Sequence, residues 1–79
     1  MFGLSPVAPG QKLYRILGEK IRAERKKADF SQEQLAEKAD LNRNYIGEIE
    51  RAEKKITVET LWKISKALGL RVRDLVDEL

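Results

Sequence analysis

Two short helical patterns joined by only three residues lie in the middle of this sequence. They cover residues 32–39 and 43–51, and in both the apolar side chains recur at the spacing of one helix face. Two helices with so short a connection must cross at a steep angle. Capping signals agree with these bounds, because Ser31 and Gln34 have the spacing of a capping box and Asn42 is a favoured N-cap residue.

Three further helices are predicted around this pair. Residues 13–28 carry apolar side chains at helical spacing, with regular structure expected from about residue 11, and residues 72–78 form a last short helix. Thr57 caps a fourth helix, which ends before Gly69, a residue suited to the left-handed position after a helix. The apolar stripe predicted for this fourth helix contains Val58, Leu61, Ile64 and Leu68. The predicted fold is therefore all-α with five helices.

The chain is too short for a second core. Its 79 residues make one domain, in which we expect residues 1–10 to form a flexible N-terminal arm and residues 11–79 to form the folded part. It contains no cysteine, so neither disulfides nor thiolate zinc sites can brace it. Stability must come from packing, capping or self-association, which favours a homodimer.

Composition argues against several classes of function. The chain has no histidine, which removes the usual general base and the commonest metal ligand, so we expect no enzyme activity, no catalytic residue, no metal and no cofactor. No small-molecule ligand is evident. Since no apolar run reaches the ~18 residues of a membrane span and the N-terminus lacks a signal-peptide pattern, we expect a cytoplasmic protein without a membrane partner.

The order of the helices and the distribution of charge both point to nucleic acid. Five short helices whose second and third are joined by a tight turn form the helix-turn-helix arrangement, which places the third helix in the major groove of DNA. Residues 12–55 hold twelve basic and nine acidic side chains, whereas residues 56–79 hold four of each. The expected partner is double-stranded DNA.

The stretch SQEQLAEKADLNRNYIGEIER, with LGEKIRAERKK before it and LWKISKALGL after it, resembles the Xre/Cro-type helix-turn-helix domain of lambdoid phage repressors. The resemblance covers about residues 17–75. It implies a lambda-repressor-like fold and a dimeric transcriptional regulator that reads a near-palindromic operator. Within this family, the segment NRNYIGEIER and the linker that ends in Ile56 and Thr57 look like the controller proteins of restriction-modification systems, which regulate their own genes.

Other members of the family are alternatives at this point. The wider family more often has Gly where Ala52 stands and Pro where Ile56 stands, a departure that favours a controller. The alternative is a general, phage-derived or antitoxin-type regulator, followed by a protein-interaction adaptor that kept the fold and lost its DNA face. An adaptor would show an acidic or apolar outer face on the third helix, whereas this face is polar and of mixed charge. RNA polymerase is a further candidate partner.

Three side chains of the third helix are predicted to contact bases. Arg43 and Asn44 open the helix at the end that enters the groove, and arginine and asparagine can each form two hydrogen bonds, to guanine and to adenine respectively. The alternative for Arg43 is a phosphate contact. Glu48, one turn later, either accepts from a cytosine amino group or pairs with Arg51 or Lys54 on the surface. Gly47 is expected on the exposed face, where a missing side chain allows close approach.

Five other side chains are predicted to hold the DNA backbone. Gln32 opens the second helix beside free backbone amides, and a side-chain amide there makes a phosphate clamp, as the family resemblance also implies. The other predicted phosphate contacts are Tyr45, Arg51, Lys54 and Lys55. For Gln32 and the lysines the alternative is an ordinary solvated position.

Arg25 and Glu50 fall on stripes that otherwise face inward. The phage-repressor pattern pairs the corresponding residues across the first and third helices. The resemblance therefore implies a buried, bidentate ion pair that fixes the third helix without touching DNA.

The C-terminal helix carries more apolar surface than one core face can absorb. We expect Val76 and Leu79, together with Trp62 on the fourth helix, to form a two-fold dimer interface. The alternative is a frayed terminus and a single exposed aromatic side chain.

Overall fold

Five helices surround one core in the computed structural model, which describes residues 9–79, with side chains from residue 11 onward. The helices are α1 Pro9–Lys27, α2 Gln32–Ala39, α3 Arg43–Glu50, α4 Val58–Ala67 and α5 Val72–Val76. Between residues 9 and 79 there is no strand, and none of the helices is long and apolar enough to span a membrane. The predicted all-α fold with five helices is confirmed.

The two terminal helices differ in length from the prediction. Helix α1 begins at Pro9, so residues 9 and 10 of the predicted arm are helical, and the rest of the arm lies outside the described residues. Proline is favoured at the first helical position because its missing N–H has no partner there in any case. Helix α5 ends at Val76, two residues before the predicted end.

The predicted capping residues begin the three middle helices. Ser31 Oγ accepts from the backbone N–H of Gln34 at 3.0 Å, and Gln34 Oε1 accepts from the N–H of Ser31 at 2.8 Å, which completes the capping box. Asn42 Oδ1 accepts from an N–H in the first turn of α3 at 2.7 Å. Thr57 Oγ1 accepts from the N–H of Thr60 at 3.1 Å at the start of α4. The steep turn between α2 and α3 is thus fixed by local bonds.

The core receives one fully buried large side chain from each helix. In chain order these are Ile21, Leu35, Ile46, Ile64 and Leu75. Each contributes roughly 1.5–3 kcal/mol through burial. Because α3 packs against both α1 and α2 while α4 packs against α2, the opposite side of α3 is left to solvent.

The apolar stripe predicted for α4 is partly wrong. Val58 lies in the first turn of α4 and is 81% exposed. The buried face contains Thr60 and Ser65 instead, whose hydroxyl groups are bonded within α4 and its cap. A hydroxyl that finds a partner inside its own helix can be buried at little cost. On α1, Leu13 is 41% exposed, so the apolar pattern predicted over residues 13–28 also includes a side chain that faces solvent.

Candidate nucleic-acid interface

A polar face of α3 and the start of α2 together form an open cavity. Arg43 and Asn44 are exposed in the first turn of α3, and Glu48 is half-buried one turn later. The cavity has a volume of about 380 Å³. Its lining residues are Gln32, Arg43, Asn44, Gly47, Glu48 and Arg51. The structure therefore brings the three predicted base-contact residues together with two of the predicted phosphate-contact residues.

A buried ion pair joins α1 to the end of α3. Arg25 Nε donates to Glu50 Oε2 at 2.6 Å, and Arg25 Nη2 donates to Glu50 Oε1 at 3.1 Å. The third guanidinium nitrogen, Nη1, donates to the carbonyl oxygen of Phe30 at 2.8 Å. Arg25 and Glu50 are each 8% exposed. Because a bidentate guanidinium–carboxylate pair has a fixed geometry, this contact restricts how α3 lies on α1.

The same carboxylate orients Gln32. Gln32 Nε2 donates to Glu50 Oε1 at 3.0 Å. Since an ionised carboxylate only accepts hydrogen bonds, the contact determines which way round the Gln32 amide lies. An amide NH2 group has two hydrogens, and Gln32 lines the cavity, so its amide can also donate to a second acceptor.

Gly18 brings α1 against the backbone of α3, and the sequence analysis missed it. A Cβ atom on Gly18 would overlap the carbonyl oxygen of Ile49 and lie 2.9 Å from that of Glu50. Only glycine allows the two helices to approach this closely. The available signal was a glycine inside a helical pattern, which costs about 1 kcal/mol relative to alanine and so indicates a packing reason.

Gly47 lines the cavity beside Arg43 and Asn44, as predicted, but it is buried and not exposed as expected. A Cβ atom there would lie 3.0 Å from Arg51 Nη1 and 3.4 Å from Gln32 Oε1. These two long side chains fold over the middle of α3 from its end and from the start of α2. The missing side chain at Gly47 makes room for them.

Arg51 is paired with Glu53 in the turn after α3. Arg51 Nε and Nη2 donate to the two carboxylate oxygens of Glu53 at 3.0 Å each. The side chains are 58% and 54% exposed. The hydrogen bond with Glu53 raises the pKa of Arg51, and the same bond lowers the pKa of Glu53. The negative charge of Glu48 adds a smaller contribution that also raises the pKa of Arg51.

The other predicted contact residues surround this face. Tyr45 is half-buried and packs its ring against the core. Lys54 and Lys55 are exposed in the connection that follows α3.

The predicted dimer residues divide into two kinds. Trp62 is 52% exposed and Leu79 is 46% exposed, as an interface between subunits requires. Val76 is half-buried and packs against the core of its own subunit. Lys66 Nζ lies 5.3 Å from the centre of the Trp62 ring, over its face.

The crossed helices α2 and α3, with a polar face on α3, define a helix-turn-helix protein. The sequence profile of the helix-turn-helix family matches residues 21–75, which is more than half of the chain. The chain belongs to this family.

Named relatives include restriction-modification controllers and a phage repressor. The chain is 44% identical over 63 residues to control protein C.BamHI of Bacillus amyloliquefaciens, and the alignment covers 78% of each chain. It is 42% identical over 62 residues to the immunity repressor protein of Bacillus phage phi105, and the alignment covers 78% of this chain and 43% of the repressor. The crystal structure of the restriction-modification controller protein C.AhdI from Aeromonas hydrophila matches with a TM-score of 0.77 at 31% identity, covering 78% of this chain and 94% of C.AhdI. The predicted resemblance to controller proteins is confirmed.

Proposed function

We propose that this chain is a sequence-specific DNA-binding transcription regulator that acts in the cytoplasm as a homodimer, without enzyme activity. The observation that carries the proposal is the face of α3, where Arg43 and Asn44 are exposed while Arg25 and Glu50 hold the helix from behind. A fixed helix with exposed base-reading side chains is what the major groove requires.

Base reading belongs to the first two turns of α3 in this proposal. The N-terminal residues of a recognition helix contact base edges, and Arg43 and Asn44 occupy that position. Arg43 offers two donors to guanine, and Asn44 a donor and an acceptor to adenine. Glu48 lines the same cavity and accepts from a cytosine amino group.

Backbone contacts surround the base-reading residues. Gln32 donates its second amide hydrogen to a phosphate while Glu50 holds the first. Arg51 and the hydroxyl group of Tyr45 add phosphate contacts beside it. Lys54 and Lys55 are exposed point charges, which strengthen binding without distinguishing sequences.

Two subunits are needed for useful discrimination. One recognition helix reads one half-site, which gives little selectivity among the millions of competing sites in a genome. Trp62 and Leu79 offer exposed apolar surface for a two-fold interface, with Val76 at its edge. Such a dimer places its recognition helices about 34 Å apart, one turn of DNA, and so reads a near-palindromic operator.

The named relatives support a particular kind of regulator. We propose a controller of a restriction-modification system that regulates its own gene, because the similarity to C.BamHI covers most of both chains. A phage-type repressor is the second candidate, favoured by the similarity to the phi105 immunity repressor. A methyltransferase or endonuclease gene beside the coding sequence supports the first, and phage genes support the second. RNA polymerase is the further partner that a transcriptional activator would need.

Selection of DNA from a random library tests the proposal. Sequencing the duplexes that the purified protein retains should return one near-palindrome. If each subunit neutralises roughly three to five phosphates, affinity for that site should fall with salt along a log–log slope of about −5 to −9. No enriched sequence, or a slope near zero, would contradict the proposal.

A further inference from the structure

We infer that Glu53 competes with DNA phosphate for Arg51 and thereby weakens binding to duplex DNA of any sequence. The inference rests on the proposed function and deepens it. Glu53 thereby sets the strength of the phosphate contact that Arg51 makes.

The competition follows from the geometry of the guanidinium group. Arg51 Nε and Nη2 form one edge of the guanidinium fork, and both donate to Glu53 at 3.0 Å. A phosphate that is held by two parallel hydrogen bonds uses such an edge as well. One edge cannot hold a carboxylate and a phosphate together, so a phosphate must displace Glu53 to bind there.

The backbone after α3 keeps Glu53 beside Arg51. Ala52 has a left-handed conformation with φ of 59°. Its N–H donates to the carbonyl oxygen of Ile49 at 3.0 Å, and the N–H of Glu53 donates to that of Glu48 at 2.8 Å. These two bonds form a Schellman motif, which reverses the chain in a defined way. The turn therefore holds the backbone of Glu53 close to that of Arg51, within reach of the ion pair.

Arg51 lies where a competitor would matter. It lines the same cavity as Arg43 and Asn44, and its Nη1 lies 3.0 Å from the position that a Cβ on Gly47 would take. The ion pair with Glu53 is exposed, so solvent screens it and DNA can displace it.

The salt dependence of binding carries the signature of this competition. In the unmodified protein Glu53 already neutralises Arg51, so a new phosphate contact changes the ion atmosphere little. Without the carboxylate, the same contact adds one neutralised phosphate per subunit. The log–log slope should therefore become steeper by about one for each subunit.

The variant Glu53→Gln tests the inference. It is titrated into a selected duplex and into a shuffled duplex, and binding is monitored by the fluorescence anisotropy of the labelled DNA. We expect both to bind roughly 3- to 10-fold more tightly, with the steeper slope. The matched control is Glu19→Gln, which removes one charge from the exposed outer side of α1. It should change affinity by less than about 2-fold, since Glu19 does not line the cavity and exposed charges are screened by salt.

A double-mutant cycle with Arg51→Ala decides the mechanism. In that background Glu53→Gln should alter affinity by less than about 2-fold, because the competed-for group is gone. If Glu53→Gln raised affinity equally in the unmodified protein and in Arg51→Ala, Glu53 would act through long-range charge. If Glu53→Gln left the affinity of the otherwise unmodified protein unchanged, Glu53 would not compete with phosphate. Either result overturns the inference and leaves the proposed function standing. If the unmodified protein binds no duplex at all, the proposed function fails, and the inference fails with it.

Discussion

The recognition half of the molecule, α1 to α3, and the half formed by α4 and α5 are stabilised in different ways. In the recognition half, the buried side chains of Arg25 and Glu50 satisfy one another, and Gln32 completes the group. In the α4–α5 half, Trp62 and Leu79 leave about half of their surface uncovered. The difference teaches that the buried polar groups of the recognition half are satisfied within one chain, whereas the α4–α5 half leaves apolar surface uncovered in that same chain.

Breaking the ion pair should have the largest effect. We expect Arg25→Ala to lower the free energy of unfolding by roughly 3–5 kcal/mol, since it leaves the Glu50 charge buried and unpaired. Urea unfolding followed by circular dichroism measures this loss. In the control, Arg25→Met together with Glu50→Leu, no buried charge is left, and stability should stay within about 1 kcal/mol of the original. A loss below about 1 kcal/mol for Arg25→Ala would show that the pair does not organise the recognition half.

The apolar face should respond at the level of assembly. Trp62→Gln together with Leu79→Asp should give a folded monomer, because losing an interface tryptophan alone typically costs about 2 kcal/mol or more of association energy. Val76 is left unchanged because it packs on the core of its own subunit. Val58→Asp is the control, since Val58 is 81% exposed outside the predicted interface. Sedimentation at tens of micromolar should find the control dimeric and the double variant monomeric; a monomeric unmodified protein would refute this interface.

A pair of glycine variants separates packing from binding within the recognition half. Gly18→Ala should cost roughly 1–3 kcal/mol of stability, because the new Cβ meets backbone oxygens of α3 that cannot move aside. Gly47→Ala meets only the ends of the Arg51 and Gln32 side chains. Its stability should change by less than about 1 kcal/mol while its affinity for DNA falls. Thermal unfolding and DNA titration of both variants check this, and equal destabilisation of the two would contradict it.

Substitutions in the turns after α3 and α4 should have the smallest effect on stability. The effect should have one sign after α3 and the opposite sign after α4. Ala52 and Gly69 both have left-handed backbone, with φ of 59° and 72°, and each N–H donates at 3.0 Å to the carbonyl oxygen three residues earlier. A left-handed alanine is strained by about 1 kcal/mol relative to glycine. Ala52→Gly should therefore stabilise the protein by about 1 kcal/mol, and Gly69→Ala should destabilise it by a similar amount. Urea midpoints that move in the same direction would contradict this.

Local signals allowed the helix starts to be predicted. Ser31 with Gln34, Asn42 and Thr57 bond to backbone within three residues of themselves, so the sequence order alone specifies these contacts. The crossed pair α2 and α3 followed from them.

The role of Gly18, the buried face of α4 and the partner of Arg51 could not be predicted in the same way. The role of Gly18 requires knowing that the end of α3 lies against it. Thr60 and Ser65 are polar by composition, yet local bonds allow them into the core in place of Val58. The partner of Arg51 was missed because it depends on the left-handed conformation of Ala52, a residue type that rarely adopts it.

The central claim, that α3 reads base sequence, is tested most directly by the ratio of affinities for the selected duplex and a shuffled duplex. We predict that Arg43→Ala lowers this ratio by an amount equivalent to about 1–3 kcal/mol of binding free energy, and that it relaxes the preference at one base pair in each half-site. Lys54→Ala, which removes an exposed charge in the following turn, should weaken both duplexes alike and leave the ratio unchanged. If Arg43→Ala also weakened both duplexes equally, Arg43 would contact only phosphate and the claim would be contradicted.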